Sequence, residues 1–129
     1  MRSGAAWVPN AASLPTRGTS AGGGYTTVGD LLRFATAITE NRLLDASHTA
    51  LLTGGKAATP RGDRYAYGFI ENVEGGVRSF GHGGGAPGMN GDLRIYPDSG
   101  YVVAALANTG SGASELVSWV GERLPVGTR

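Results

Sequence analysis

The residues best suited to chemistry lie in one glycine-rich run, Gly81–Gly85, which reads Gly-His-Gly-Gly-Gly. Histidine commonly serves as a general base or a metal ligand, because its imidazole exchanges a proton near neutral pH. Glycine has no propensity reason to occupy a strand, and its missing side chain lets a ligand come close to the backbone. His82 is therefore the strongest candidate for a functional residue, the alternative being an exposed histidine without a function.

A metal site could be built around His82, with His48 and Asp92 as further ligands for a divalent ion such as zinc. The sequence has two histidines and no cysteine, and it contains neither a His-x-His nor a His-Glu-x-x-His spacing. His48 falls in a short predicted helix, where it is better explained as a surface residue than as a metal ligand. The identity of any cofactor is therefore open, and a second copy of the chain could supply missing ligands.

The composition excludes several classes of partner. The 129 residues carry 11 basic and 10 acidic side chains, without a polybasic stretch, so nucleic acid is not expected to bind. The longest apolar run, residues 101–107, is too short to span a bilayer, so no membrane partner is expected either. Residues 1–7 lack the apolar stretch of a signal peptide, which predicts a cytoplasmic chain. A small-molecule substrate remains as the expected partner.

The elements that must position these residues are first helical and then extended. Thr27 and Asp30 fit a capping box that opens an amphipathic helix over residues 28–40. A shorter helix is predicted from about residue 45 to 52, and a last one from 114 to 124. Residues 1–24 show no period. They predict an irregular N-terminal arm, and residues 25–129 predict a single subdomain.

The second half of the chain predicts an antiparallel meander. Tyr65, Tyr67 and Phe69 alternate as in a strand. Three further strands are predicted at 77–82, around Leu93 and Ile95, and at 101–107. The last run barely alternates, which favours a central strand covered on both faces. Together these elements predict an α+β fold in which helices pack on an antiparallel sheet of about four strands.

Four segments, taken in order, resemble the C-terminal part of the serine β-lactamase superfamily. Within it they are most similar to class C β-lactamases, penicillin-binding-protein-like D-aminopeptidases and β-lactamase-fold esterases. The segments are Ala21–Phe34 with its Ala-Gly-Gly-Gly start, Tyr67-Gly68-Phe69, Gly81–Gly88, and Tyr96–Asn108 with its Pro-Asp-Ser-Gly turn. The resemblance implies a truncated β-lactamase-like fold.

That family uses three catalytic motifs, and this sequence matches only the third. No serine here is followed by lysine three residues later, and no Tyr-x-Asn triplet is present. The third motif is similar to His82-Gly83-Gly84. The resemblance implies that Gly83 and Gly84 line the substrate site and that the N–H of Gly85 belongs to an oxyanion hole. Without the serine, the family's acylation step is not expected from this chain alone.

These observations predict a small-molecule hydrolase of activated ester or phosphoester bonds. His82 would act as general base or metal ligand and Gly85 would stabilise negative charge, with Tyr65 and Tyr67 near the substrate. An exposed sheet edge would favour a homodimer or larger homo-oligomer. The alternative is a non-catalytic fragment or binding module, or one half of a split serine hydrolase whose partner carries Ser-x-x-Lys.

Overall fold

A computed structural model of the chain describes residues 1–124 as three α-helices and two antiparallel sheets. The helices are α1 (Val28–Thr39), α2 (Ala46–Thr53) and α3 (Gly112–Gly121), and a 3-10 helix spans Ala11–Ser13. The strands are β1 (Arg2–Ser3), β2 (Ala6–Trp7), β3 (Ala57–Ala58), β4 (Arg64–Tyr65), β5 (Ile70–Glu74), β6 (Val77–Ala86), β7 (Met89–Tyr96) and β8 (Tyr101–Ala107). Strands β1 and β2 form a hairpin, and β3 to β8 form a six-stranded sheet in chain order. In this described part of the chain, no helix is long and apolar enough to cross a membrane.

Helices α1 and α2 begin at the capping residues that the sequence predicts. The Oγ1 atom of Thr27 accepts a hydrogen bond from the Asp30 N–H at 3.1 Å, and its hydroxyl donates to the Asp30 carboxylate at 2.8 Å. At α2, the Asp45 carboxylate accepts the backbone N–H of His48 at 2.8 Å. Helix α3 begins two residues earlier than predicted and ends at Gly121. Capping therefore gives the starts of α1 and α2 more accurately than periodicity gives the bounds of α3.

The α+β prediction is confirmed, but the sheet has six strands instead of about four. One additional strand is β3, which has two residues and is too short to show an alternating pattern. The other arises because one predicted strand is divided into β4 and β5. The predicted strand through Tyr65, Tyr67 and Phe69 is also interrupted. Gly68 takes a φ of 78°, a left-handed conformation that turns the chain, so Tyr65 ends β4 and β5 begins at Ile70.

The prediction that residues 101–107 form a central strand is wrong. Strand β8 pairs only with β7 and lies at the edge of the six-stranded sheet. Helix α1 packs on one of its faces and α3 on the other. Two covered faces explain why the run barely alternates, since this pattern reports burial of the faces and says nothing about the edge.

The six-stranded sheet separates two apolar clusters, one on each of its faces. The larger lies under α1, where Phe80, Leu93 and Ile95 pack against Ala35 and Ile38. The smaller lies under α3 and contains Ala105, Ala113 and Val117. The division of the chain into an arm of 1–24 and a subdomain of 25–129 stays a prediction, and residues 125–129 lie outside the described residues.

A hydrogen-bonded ion pair joins β5, β6 and the end of α2. The Glu71 carboxylate accepts Arg78 Nε at 2.6 Å and the Gly55 N–H at 2.8 Å. Arg78 also donates to Thr53 Oγ1 at 3.1 Å. The hydrogen bond from Arg78 holds the pKa of Glu71 below its usual value, with a smaller effect from Gly55, although burial acts in the opposite direction.

This ion pair predicts a pH-dependent contribution to stability. Because folding lowers the pKa of Glu71, its contribution is complete above the unfolded-state pKa and is lost as the pH falls through the folded-state pKa. We expect Glu71→Gln to lower the free energy of unfolding at neutral pH and to flatten its decline between about pH 6 and about pH 3. Urea unfolding at stepped pH measures both, with Glu74→Gln on the same strand as the control. An unchanged pH dependence in Glu71→Gln would contradict the assignment.

A second stability prediction comes from two neighbouring glycines of β6, neither of which has a positive φ. A Cβ atom on Gly83 would lie 2.6 Å from Oδ2 of the buried Asp92, whereas one on Gly84 would meet no atom within 4 Å. We expect Gly83→Ala to cost about 1–3 kcal/mol of unfolding free energy through overpacking. Gly84→Ala serves as the matched control and should be neutral. Equal stability of the two variants in urea unfolding would show that Asp92 moves freely.

Candidate functional site

Strand β6 continues past the end of its neighbour β5 and thereby leaves part of its backbone open. The β5–β6 pairing ends at Ile70 and Gly81, but β6 runs on to Ala86 with β7 as its partner. On the β5 side, residues 82–86 therefore face no strand within the described part of the chain. Strand edges of this kind present backbone N–H and C=O groups to a ligand.

His82 is the first residue of this open stretch, and its side chain is exposed. It lies opposite Leu93, which places its side chain on the α1 face of the sheet. Its Nε2 atom is 3.1 Å from the Tyr65 hydroxyl oxygen, and the two rings meet edge to face with centroids 5.8 Å apart. In one tautomer Nε2–H donates to Tyr65, and in the other the phenol donates to Nε2.

Strand β4 brings Tyr65 to this position. The Tyr65 carbonyl accepts the Lys56 N–H at 2.8 Å, and Arg64 Nε donates to the Gly55 carbonyl at 3.2 Å. Tyr67, two residues further on, is exposed and lies under the Lys56 ammonium, which is 5.8 Å from its ring centroid. The structure therefore joins one of the two tyrosines to His82 and places the other against a lysine.

The three glycines that follow His82 have different surroundings. Gly83 lies over Asp92, as described above. Gly84 is exposed and has free space on the side where a side chain would project, which is the His82 side because residues two apart share a face. Gly85 is exposed and lies opposite Asn90. A ligand beside His82 can therefore approach the backbone of Gly84 and Gly85 without meeting a side chain from either.

Asn90 is a supporting residue that the sequence interpretation missed. This buried side chain donates to the Gly84 carbonyl at 2.9 Å and accepts the Ser114 N–H of α3 at 2.8 Å. It thereby ties the glycine strand to α3. Asparagine is depleted in strands, and that was the signal available in the sequence.

The three proposed metal ligands are not brought together. Asp92 lies on the α3 face, because its strand partner Ala105 belongs to the cluster under α3. His48 is exposed on α2, where its Nδ1 atom is 2.8 Å from the Asp45 carboxylate. Within residues 1–124, no group of three or more histidine, aspartate or glutamate side chains is arranged to hold a metal ion.

His48 instead belongs to the N-terminus of α2. Hydrogen bonds, the strongest from the His48 backbone N–H, lower the pKa of Asp45 to about 2. Asp45 is therefore ionised at neutral pH and serves as the helix cap. The open edge therefore presents the His82 imidazole, which is hydrogen-bonded to the Tyr65 phenol, next to glycine backbone without side chains.

Comparison with solved structures identifies proteins with a similar fold. The penicillin-binding protein from Bacillus halodurans has 28% identity and a TM-score of 0.84, covering 92% of this chain and 37% of its own. A D-stereospecific amidohydrolase from Streptomyces sp. has 28% identity and a TM-score of 0.61, covering 78% of this chain and 30% of its own. The octameric penicillin-binding protein homologue from Pyrococcus abyssi has 23% identity and a TM-score of 0.68, covering 80% and 26%, and shows the fold alone.

The chain therefore spans about a third of the length of these solved relatives. A search among curated proteins gave no match. The family model described as Beta-lactamase matches residues 1–124, which is nearly the whole chain. The resemblance of the sequence segments is thus confirmed by the family match and by the fold, and the chain belongs to the beta-lactamase family.

Proposed function

We propose that this chain hydrolyses small activated esters, carboxylic or phosphoric, at the open edge of β6. The observation that carries the proposal is the exposed imidazole of His82, held by Tyr65 beside a stretch of backbone that faces no strand. The family supports a hydrolytic scaffold, since one relative is a D-stereospecific amidohydrolase.

His82 acts as general base in this proposal. With Nε2–H donating to the Tyr65 hydroxyl, Nδ1 is free to take a proton from water as the water oxygen attacks the ester carbonyl carbon. The resulting oxyanion accepts a hydrogen bond from the Gly85 N–H, the donor that the family resemblance implies. Collapse of the tetrahedral intermediate of a carboxylic ester re-forms the carbonyl and expels the alkoxide or phenolate. With a phosphoric ester, the water oxygen attacks phosphorus instead, and the P–O bond to the phenolate breaks. Tyr65 is a positioning residue, because it acts through the imidazole.

The missing nucleophile limits the substrate class. No serine is followed by lysine three residues later, so no acyl-enzyme of the family's type can form within this chain. Direct attack by water also leaves the departing group without a general acid. Only substrates with good leaving groups, such as aryl esters and aryl phosphates, are therefore expected to react.

A metal-dependent form of the proposal needs ligands from outside this chain. Zinc in catalytic sites takes three protein ligands, and of the predicted set only His82 stands at the open edge. The remaining ligands would have to come from a second copy. The metal-free mechanism needs no residue beyond those observed at the open edge. Treatment with a chelator distinguishes the metal-free mechanism from the metal-dependent one.

The length of the solved relatives favours a second candidate function. Each has roughly twice as much further chain as the part matched here, and this sequence lacks the family's serine motif. In this alternative, the open edge binds the carbonyl or carboxylate of a substrate, and another polypeptide supplies the nucleophile. Self-association is also proposed for this chain, because an open strand edge favours pairing with a second copy.

Hydrolysis of p-nitrophenyl acetate and p-nitrophenyl phosphate by the purified chain tests the general-base role. We expect His82→Ala to lower the protein-dependent rate about 100-fold or more, the usual contribution of a general base. His48→Ala, the matched histidine control, should retain the wild-type rate, and EDTA should have no effect. Tyr65→Phe should cause a smaller loss, because the imidazole remains.

Two outcomes would reject this function. Equal rates for the wild type and His82→Ala would remove His82 from the chemistry. A wild-type chain without activity, which gains activity when mixed with the unmatched portion of the Bacillus halodurans relative, would instead support the split-hydrolase alternative.

The free space beside Gly84 gives a separate prediction about substrate access. Gly84→Val adds a branched side chain on the His82 side of the open edge, where a Cβ atom meets no neighbour. We expect hydrolysis to fall at least tenfold while the melting temperature is unchanged, and Gly84→Ala to have a smaller effect. A wild-type rate in Gly84→Val would place the substrate elsewhere.

A further inference from the structure

The direction of the Gly85 N–H follows from the pairing of β6 with β7. Ala86 and Met89 close a two-residue turn between these strands, and in such a turn the first carbonyl accepts a hydrogen bond from the last N–H. The backbone groups of Ala86 therefore point toward β7. Because successive residues of a strand point their N–H and C=O groups to opposite edges, those of Gly84 also point toward β7 and those of Gly85 point toward the open edge.

The pairing of β6 with β5 gives the same direction from the other end of the strand. The Ala66 N–H donates to the Phe69 carbonyl at 2.7 Å, so the backbone groups of Phe69 point toward β4 and those of Ile70 point toward β6. Gly81 is the partner of Ile70 and points back toward β5. Gly85, four residues further on, points the same way. Its N–H is thus directed at the place where the substrate is proposed to bind.

The peptide between Gly84 and Gly85 is the one whose direction is hardest to keep. Neither residue has a side chain to restrict rotation of this peptide, and a Cβ atom on Gly84 would meet no described atom within 4 Å. The Gly84 carbonyl and the Gly85 N–H belong to one planar trans unit and point in opposite directions. A group that holds the carbonyl therefore also fixes the direction of the N–H.

Asn90 holds this carbonyl from the α3 side. Its Nδ2 donates to the Gly84 oxygen at 2.9 Å, and its Oδ1 accepts the Ser114 N–H at 2.8 Å. The side chain is only 7% exposed, so water competes little for either hydrogen bond. The Ser114 N–H lies in the first turn of α3, where backbone donors lack partners within the helix. The Ser111 hydroxyl at the N-cap donates to Glu115 at 2.6 Å, and Asn90 caps the helix from β7.

These contacts form a chain of aligned amides that begins at α3 and ends at the open edge. The Ser114 N–H donates to the Asn90 amide, which donates to the Gly84 carbonyl, and the same peptide presents the Gly85 N–H. Hydrogen bonds in such a chain polarise one another, and the N-terminus of a helix carries partial positive charge. The chain therefore makes the Gly85 N–H a stronger donor as well as fixing its direction.

We propose that Asn90 is a positioning residue of the candidate site, which directs and polarises the Gly85 N–H toward the developing oxyanion. The catalytic consequence rests on the proposed function. The direction of the N–H does not, because it depends only on hydrogen bonds within the chain.

Steady-state kinetics of Asn90→Asp test the catalytic consequence. At neutral pH this variant keeps an oxygen for the Ser114 N–H but has no donor for the Gly84 carbonyl. We expect kcat for p-nitrophenyl acetate to fall at least tenfold with KM within about twofold of the wild type, because an oxyanion donor acts mainly in the transition state. Asn72→Asp makes the same chemical change on β5, is the matched control, and should retain the wild-type rate.

Residual dipolar couplings of ¹⁵N-labelled protein measure the N–H direction without a substrate. We expect the coupling of Gly85 to fit the structure in the wild type and to fall at least twofold in Asn90→Asp, because the freed peptide samples other directions. The coupling of Gly83, whose peptide lies outside the chain of amides, should be kept. If circular dichroism shows that Asn90→Asp does not fold, Asn90→Ala removes both hydrogen bonds without adding a charge and replaces it.

The two measurements separate this inference from the proposed function. An unchanged Gly85 coupling in the Asn90 variant would overturn the inference, whether or not the chain hydrolyses esters. A changed coupling with a wild-type kcat would overturn the catalytic part of it. A wild-type chain without hydrolysis whose Gly85 coupling is lost in Asn90→Asp would reject the proposed function and support the positioning of the N–H by Asn90.

Discussion

The register between β6 and β7 is the constraint on which the sheet and the candidate site both depend. Seven consecutive pairs, from Phe80 with Ile95 to Ala86 with Met89, hold the two longest strands together. At one end of this ladder, Phe80 and Ile95 are buried in the core under α1. At the other end the same ladder carries His82 and the glycines beyond Ile70, the first residue of β5. A shift of β6 by one residue would move His82 to the α3 face of the sheet and remove the site.

A glycine-rich strand is costly to order, because each glycine loses more conformational freedom on folding than any other residue. Asn90 offsets part of this cost, since its buried amide joins the Gly84 carbonyl to the first turn of α3. The strand is thus supported from the α3 face through β7, and its other face and its outer edge are left free. Because of this asymmetry, residues 82–86 of β6 are both ordered and accessible to a ligand.

Two of the open strand edges in the described residues, those of β6 and β8, differ in chemistry. Beside β6 the open stretch carries an imidazole, a phenol and bare backbone, which suits a small polar ligand. Beside β8 the strand itself, Tyr101–Ala107, contains no charged residue.

Local interactions in the sequence determined the start of α1 at Thr27, the start of α2 at Asp45, the extended glycine run and the family motifs. Each depends on residues within a few positions of one another. The sequence pattern did not determine the number of strands or the edge position of β8, because two-residue strands have no period and burial of two faces resembles a central strand. Tertiary structure alone decided that Tyr65 meets His82, 17 residues away, and that Asp92 lies on the opposite face. Such contacts arise from strand register, which is set by the packing of both faces together and by no single segment.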